Sequence, residues 1–232
     1  MTNEITGKLT GMASDELPAH VIAHLPAAEE AASKNLEAVR QKNERAIQSL
    51  HVQIQDASSA KFSGTNRVQR IRFLTSEMTK FFTPRTACAS GCSHCCNIDV
   101  AVSSQEATII SKAIKRPLAV PSKTYELSET AGTLRHVGVP CTFLVEGRCS
   151  IYEHRPTMCR ALVNMDDTAL LCELQPGAMV PVPYLNMTQI HLAIGHATRN
   201  DRFADIRDWF PQGLRTGHAA VDPQTIERTN DS

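Results

Sequence analysis

The sequence has few aromatic residues and no excess of charge of either sign. Aromatic residues make up 5% of the chain, with a single tryptophan, and 24 basic residues balance 24 acidic ones. Proteins whose main partner is nucleic acid or an anionic membrane normally carry a basic excess. The composition therefore argues against both kinds of partner.

Long hydrophobic runs are also missing. No apolar run approaches the roughly 20 residues of a membrane helix, and the first residues lack the apolar segment of a secretory signal. We therefore expect a cytoplasmic protein with no membrane partner. A hydrophobic content of 42% over 232 residues is typical of a globular chain that forms one domain, or one domain with a helical extension.

Cysteine is absent from both ends of the chain. All eight cysteines lie between Cys88 and Cys172, and four of them fall within Cys88–Cys96. Cysteines of an apolar core would follow a helix or strand period, whereas thiolates two or three residues apart can surround one soft metal ion. A reducing cytoplasm opposes disulfides, so the pattern favours metal binding.

Eight thiolates suffice for two four-sulfur sites, and four cysteines suit either zinc or an iron–sulfur cluster. Cys88, Cys92 and Cys95 can hold three corners of one site, with Gly91 allowing the tight turn. Cys95 and Cys96 are adjacent and point to opposite sides of an extended backbone, so the pair more naturally serves two metals or bridges them. The flanking Arg85 offers a compensating charge.

The same Cys-x3-Cys-x2-Cys spacing occurs in radical S-adenosylmethionine enzymes. A fourth cysteine directly follows it here, four more come later, and the alternating strand-and-helix rhythm of a barrel is missing. These features argue against a full radical enzyme.

The second group of cysteines is predicted to lie on a hairpin and a helix. Residues 142–145 and 150–152 would pair around Glu146-Gly147 and bring Cys141 and Cys149 together.

Pro156 suits the first turn of a helix, which would place Cys159 where free N–H groups and the helix dipole favour a thiolate. Arg160 would add positive charge beside it. Cys172 is expected at the far end of this helix or just beyond it.

Read together, the two segments form one motif: Cys-x3-Cys-x2-Cys-Cys, then Pro-Cys-x-Phe-Leu and Gly-x-Cys-x-Ile-Tyr-x-x-Arg-Pro-x-x-Cys-Arg. Over residues 84–175 the chain resembles the YkgJ-type cysteine-cluster family of zinc- or iron-chelating proteins. The resemblance implies a zinc or iron cofactor. It implies the metal ligands Cys88, Cys92, Cys95, Cys96, Cys141, Cys149 and Cys159, with Cys172 matched more loosely.

The family includes proteins described as iron–sulfur oxidoreductases and is similar to the cysteine domain of flagellin lysine N-methylases. Two hypotheses therefore stay open: a metal-binding module, whose partner could be another protein, and an iron–sulfur-dependent oxidoreductase or protein lysine methyltransferase-like enzyme. The vicinal cysteines and the flanking arginines slightly favour iron–sulfur over zinc.

The remaining candidates are weaker. His94 and His154 are expected to support or flank the site rather than bind metal, and Phe143 and Tyr152 to form a small core over it. Further surface features are His191, His196 and a solvated turn at Asp166-Asp167.

Outside the cysteine segments the pattern predicts helices. Residues 27–58 form a long amphipathic helix with Asn43 as the one polar residue on its apolar stripe. A second helix at 66–82, ended by Pro84, would pack on it as a hairpin within the monomer. The expected domains are a loose arm (1–25), a helical hairpin (26–83), a cysteine domain (84–175), C-terminal helices (176–215) and a polar tail (216–232).

The overall expectation is a mainly α fold in which the helical hairpin adjoins an irregular, metal-organised cysteine core with at most a small β-hairpin. Four smaller elements complete it. They are an extended segment at 97–102, a helix to about Lys115 opened by a capping box of Ser103 and Glu106, a helix at 122–136, and helices starting near Asn186 and Phe203.

Overall fold

A computed structural model of the chain describes residues 17–59, 62–89, 91–126, 136–175 and 178–212. The described residues are mainly helical, which confirms the predicted fold class. The helices are α1 (Ala19–Ala57), α2 (Gly64–Thr79), α3 (Ser104–Ile114), α4 (Thr157–Ala161), α5 (Thr188–Ala197) and α6 (Ile206–Trp209). The strands are β1 (Ala101–Ser103), β2 (Leu144–Val145), β3 (Arg148–Cys149) and β4 (Phe203–Asp205).

Helix α1 begins earlier than the sequence predicts and continues through Pro26. Proline lacks the N–H that would bond one turn back, so the helix loses a hydrogen bond there. Val21 and Ala28, on either side of Pro26, are fully buried, and this burial holds the helix together across the proline. The predicted boundary at residue 26 is therefore wrong for the helix.

The predicted helical hairpin is present within the monomer. Helices α1 and α2 pack against each other and against α5, and their shared core includes Ile54, Ile71 and Ile190. Helix α2 ends at Thr79, whereas Pro84 lies in a separate short turn.

The polar residue that matters on α1 is Asn35 rather than the predicted Asn43. Asn35 is 7% exposed and reaches a loop of the cysteine domain. Asn43 is half-buried and donates to the carbonyl oxygen of Val39 within its own helix.

A second core lies under the cysteine domain, where β1 and β4 pair antiparallel with Val102 opposite Ala204. The sequence predicts a helix over 203–214, but its first three residues form β4 and only α6 is helical in the described part. The Trp209 indole N–H donates to the carbonyl of Val102 at 2.9 Å. That bond ties α6 back onto the sheet.

Two further helices have different outcomes. Helix α5 is present, and Asn186 accepts from the N–H of Thr188 at its start. Residues 122–126 are not helical, because Tyr125 instead pairs with Phe203; residues 127–135 of that predicted helix lie outside the described residues. In the described ranges, no helix is long and apolar enough to cross a membrane.

Candidate metal centre

The cysteine segments converge on a cavity of about 160 Å³. Its walls include apolar side chains of the second core, such as Phe143, Ile151 and Ile206. Six cysteines also line it: Cys92, Cys95, Cys96, Cys141, Cys149 and Cys159. All eight cysteines are free thiols, and six of them face this common space, whereas Cys88 and Cys172 are not among the residues that line it.

The predicted hairpin supplies part of this wall. Strands β2 and β3 pair across a turn in which Glu146 and Gly147 both adopt positive φ, 48° and 73°. Such a two-residue turn matches the twist of the strands that flank it. It brings Cys149 to the side of the core that Cys141 occupies, as the hairpin spacing predicts.

The first cysteine segment turns at Gly91, whose φ of 98° lies in a region that other residues rarely adopt. A short helical turn, His94–Asn97, then carries Cys95 and Cys96. The expected extended backbone with the two side chains on opposite sides is therefore wrong, because the two thiols are close enough to share a hydrogen bond. The carbonyl of Cys96 accepts from the N–H of Cys141 at 2.7 Å, which joins the two segments. His94 is half-buried and is not among the residues that line the cavity.

The expected thiolate at Cys159 is wrong for the metal-free chain. Cys159 does lie in α4, which begins after Pro156 as predicted. Burial nevertheless raises the pKa of the Cys159 thiol well above its ordinary value, and nearby cysteines add to the rise. A helix of five residues aligns too few peptide dipoles to offset the loss of water around the sulfur.

The arginines that line the cavity are Arg148 and Arg155 rather than the expected Arg85 or Arg160. Arg85 is exposed, and the buried Arg160 donates to backbone carbonyls of the preceding loop, including that of Arg155 at 2.8 Å. Arg155 lines the cavity, and its guanidinium carbon lies 3.9 Å from the ring centre of Tyr152.

The charge of Arg155 acts on several of the thiols. Burial dominates the pKa values of Cys88, Cys149 and Cys159 and raises them, and the positive charge of Arg155 opposes that rise. Cys95 differs, because the hydrogen bond from Cys96 lowers its pKa to about 7, with Arg155 adding to the effect.

A buried ion pair holds the start of α4, the helix that carries Cys159. The Glu106 carboxylate is 2% exposed and accepts from both the N–H and the hydroxyl of Thr157 at 2.7 Å. It also lies 3.2 Å from Nε of Arg72. Ser103 caps α3 as predicted, but the Glu106 side chain reaches α4 instead of closing the capping box.

A second buried arginine fixes the backbone around Cys96. Arg207 forms an ion pair with Asp205 at 2.9 Å. Its guanidinium also donates to the carbonyl oxygens of Cys96 at 3.0 Å, Ile98 at 3.2 Å and Val139 at 2.7 Å. The Arg207 side chain thus joins the backbone just after Cys96 to the backbone just before Cys141.

Cys172 lies beyond α4, in the short turn Leu170–Cys172. Asn164 donates hydrogen bonds to both Cys172 and Cys88. The backbone N–H of Asn164 donates to Sγ of Cys88 at 3.3 Å, and its side-chain amide donates to Sγ of Cys172 at 3.3 Å. Burial is the main cause that raises the pKa of Cys172 to about 12. Asn164 belongs to no recognisable motif, so nothing in the sequence marks it.

The expected solvated turn at Asp166-Asp167 is wrong for its first residue. Asp166 is 1% exposed and accepts from Nε2 of His24 at 2.8 Å. Asn35 donates to the carboxylate of Asp167 at 2.8 Å and to the carbonyl of Met165 at 3.1 Å. Helix α1 covers this loop, and the sequence of the loop alone does not predict that contact.

The remaining candidates lie largely as predicted. Phe143 is buried in the cavity wall, but Tyr152 is 40% exposed, so it lies at the mouth rather than in a core. Of the candidate histidines, His154, His191 and His196 are exposed.

The sulfurs are spread out rather than gathered around one point. Among the described residues, the one set of three metal-ligating atoms that lie within 4.8 Å of one another belongs to Asp99, His136 and Asp205. Arg207 already neutralises Asp205 there. No three cysteine sulfurs of the described chain approach one another that closely.

No curated protein and no solved structure matches the chain. One family model does match, over the segment whose cysteines form this centre. Residues 87–175 match the model of the CxxCxxCC domain, described as a "putative zinc- or iron-chelating domain", and this match supports metal binding by the segment.

Proposed function

We propose that the domain holds two metal centres, each bound by four cysteines, and that iron–sulfur clusters occupy them. The observation that carries the proposal is the cavity of about 160 Å³ whose walls include six cysteines. Eight free thiols in a partly apolar setting are a donor set that suits iron–sulfur clusters as well as zinc.

The spacing of the sulfurs favours a cluster over a single ion. Four sulfurs at about 2.3 Å from a tetrahedral zinc lie only about 3.8 Å from one another. No three cysteine sulfurs of the described residues lie within 4.8 Å of one another. A cluster places several irons between its ligands and so keeps their sulfurs farther apart, in keeping with the open space between these thiols.

We infer two sets of four cysteines from the contacts of six of them. Cys96, Cys141, Cys149 and Cys159 pack against the second core, and we assign them to one centre. Cys88 packs against the first core instead, and Asn164 joins it to Cys172.

Cys92 and Cys95 complete this other set, which we call the Asn164 centre; the first set is the hairpin centre. The border between them runs between the neighbouring residues Cys95 and Cys96, whose thiols are joined by a hydrogen bond, so the two sites would lie side by side. Arg155 stands near both sets and offsets part of their negative charge.

A bound cluster would supply one-electron redox chemistry at these positions. The protein's own residues then have three tasks: thiolates hold the group, the second core keeps water away, and the arginines balance charge. Free thiols in this number suit a reducing compartment, which supports a cytoplasmic location.

A second candidate function, an iron–sulfur-dependent enzyme, is favoured by one observation. Three polar side chains other than cysteine line the cavity, Arg148, Tyr152 and Arg155, and Tyr152 is 40% exposed. A purely structural site would be closed on all sides. If the site is catalytic, replacing Tyr152 with phenylalanine should change turnover while leaving metal content intact.

The deciding experiment is the iron, zinc and acid-labile sulfide content of the full chain purified without oxygen, together with its visible spectrum. We expect iron and sulfide in similar amounts and a brown protein. A colourless protein with about two zinc ions per chain, as two four-cysteine sites would hold, would contradict the cluster assignment and support a zinc module. Metal-free protein with all eight thiols reactive would contradict both.

A further inference from the structure

We propose that Asn164 is a positioning residue for the metal centre, a buried double donor that controls the electron density on two sulfurs, Cys88 and Cys172. The inference rests on the proposed function, because it assumes that these two sulfurs are metal ligands. Nothing in the family match or in the motif assigns a role to Asn164.

The geometry singles out Asn164 because one residue reaches two cysteines that are far apart in sequence. Its backbone N–H reaches Cys88 and its side-chain N–H reaches Cys172, each at 3.3 Å to the sulfur. A sulfur acceptor has a larger radius than oxygen, so these distances are those of hydrogen bonds. Both N–H groups point at sulfur atoms that we assign as metal ligands.

Asn164 is held so firmly that its amide has one orientation. Its Oδ1 accepts from the N–H of Asp166 at 3.0 Å, and its Nδ2 also donates to the carbonyl of Thr168 at 3.1 Å. The residue is 1% exposed, and its backbone forms a bridge with Tyr184. These partners fix the amide so that nitrogen, not oxygen, faces Cys172.

The loop around Asn164 is anchored from outside the metal-binding domain. Helix α1 supplies His24 to Asp166 and Asn35 to Met165 and Asp167. The helical extension therefore contributes to the centre indirectly, by keeping the asparagine in place.

An N–H that points at a thiolate sulfur stabilises its negative charge. Outer partners of this kind orient the ligand and commonly account for about 10- to 100-fold in metal affinity. For a redox cluster, hydrogen bonds to the sulfurs are also a determinant of the reduction potential. We expect the Asn164 amide to raise the potential and strengthen metal retention at the Asn164 centre.

The test replaces Asn164 with aspartate, which has the same shape and keeps an acceptor for Asp166. It exchanges the N–H donor for a negative oxygen beside Cys172. Asn164→Leu removes the donor without adding charge. Comparing it with Asn164→Asp separates the loss of the donor from the effect of the new carboxylate. The matched control is Asn35→Asp, the same chemical change in a buried asparagine that contacts the same loop but no sulfur.

Each full-length variant is stripped of metal and titrated with Co²⁺, whose thiolate charge-transfer band reports on sulfur ligands directly. Circular dichroism checks that each variant is folded. For Asn164→Asp we expect about 10- to 100-fold weaker retention of one ion against a competing chelator. We also expect the band to move to lower energy, because the sulfur has lost a donor. Asn164→Leu should show the same direction with a smaller shift. Asn35→Asp sets a carboxylate beside that of Asp167 and so should weaken metal retention somewhat, but it should leave the energy of the band unchanged because it removes no donor to a sulfur.

The outcomes separate the two proposals. If wild-type protein binds Co²⁺ through thiolates and Asn164→Asp leaves affinity and band unchanged, the role of Asn164 is refuted while the metal centre stands. If Asn164→Asp and Asn35→Asp lose metal affinity equally and neither shifts the band, Asn164 only supports the loop, and its proposed role at the sulfurs is refuted. If the wild-type chain binds no Co²⁺ through its cysteines, the role of Asn164 is refuted, whereas the cluster proposal is decided separately by the iron and sulfide content of the protein.

Discussion

The Asn164 centre and the hairpin centre have the same kind of donor atoms but different surroundings. At the Asn164 centre, hydrogen-bond donors point directly at two sulfurs. At the hairpin centre, backbone N–H groups of Phe143 and Ile151 donate to the sulfurs of Cys141 and Cys149. The buried cation Arg207 binds carbonyl oxygens beside the cysteines. The Asn164 centre therefore adds a side-chain donor that acts on a sulfur, whereas the buried side chain at the hairpin centre acts on the backbone.

The two regions also differ in where their parts come from. The Asn164 centre depends on a loop that α1 covers, and α1 lies outside the matched domain. The hairpin centre is assembled within the domain and closed by β4 and α6, whose Ile206 reaches the cavity. One motif therefore supplies ligands to two sites whose supporting residues come from opposite ends of the chain.

The largest effect should come from removing one ligand at each centre. Cys149→Ser takes a sulfur from the hairpin centre and Cys172→Ser takes one from the Asn164 centre. Because a four-cysteine site rarely keeps its metal with three thiolates, each variant should lose about half of the bound metal. Metal analysis of each variant and of the double variant would show it.

The division of the cysteines predicts that the double variant loses nearly all metal, since the losses are independent. If Cys149→Ser alone abolished both sites, or if the double variant lost no more than either single variant, the eight cysteines would not divide as we assign them.

The sequence predicts the parts of this centre that depend on local spacing. The turn at Glu146-Gly147 needs positive φ at both residues, and Gly147 is the residue that marks it. Pro156 marks the start of α4 in the same way. The helical hairpin of α1 and α2 follows from the apolar period of each helix.

The sequence does not predict the parts that depend on tertiary contacts. The carboxylate of Glu106 leaves its capping box for Thr157 because α4 packs beside it. Asp166 is buried only because α1 covers its loop. Asn164 and Arg207 are single polar residues whose partners lie far away in sequence, so no local pattern could single them out.

A smaller but still large effect is expected from Arg207→Met, which breaks the buried pair with Asp205. Removing one partner of a buried ion pair commonly costs about 3–5 kcal/mol, because the other charge is left uncompensated. The free energy of unfolding, measured by urea denaturation of the metal-free chain, should fall by that amount. Metal should also be lost preferentially from the hairpin centre, whose backbone Arg207 holds.

The control for this change is Lys80→Met. Lys80 lies 2.5 Å from the carboxylate of Glu77, and its side chain is 68% exposed. Exposed pairs contribute about 0–1 kcal/mol, so this variant should unfold within about 1 kcal/mol of wild type. Similar losses in both variants would mean that Arg207 has no special part in the hairpin centre.

The smallest effect concerns the border between the two centres, where Cys95 should ionise at lower pH than Cys172 in the metal-free protein. Its pKa is lowered to about 7, chiefly by the hydrogen bond from Cys96 and also by Arg155, whereas burial raises that of Cys172 to about 12. The thiolate is the reactive form, so Cys95 is protected by protonation below its pKa and reactive above it. Alkylation followed by mass spectrometry from pH 5 to 10 should show Cys95 labelling with a midpoint near pH 7, while Cys172 stays unlabelled.

Arg155→Met tests whether charge contributes to this order. Loss of the cation should raise the pKa of Cys95 and move its labelling midpoint to higher pH by a fraction of a unit. The hydrogen bond from Cys96 is the larger cause, so Cys95 should still react before Cys172. Arg148→Met, in another arginine of the cavity wall, serves as the control and should leave the midpoint in place. If both variants shifted it equally, the general positive field of the cavity, and not Arg155, would set the reactivity at the border between the centres.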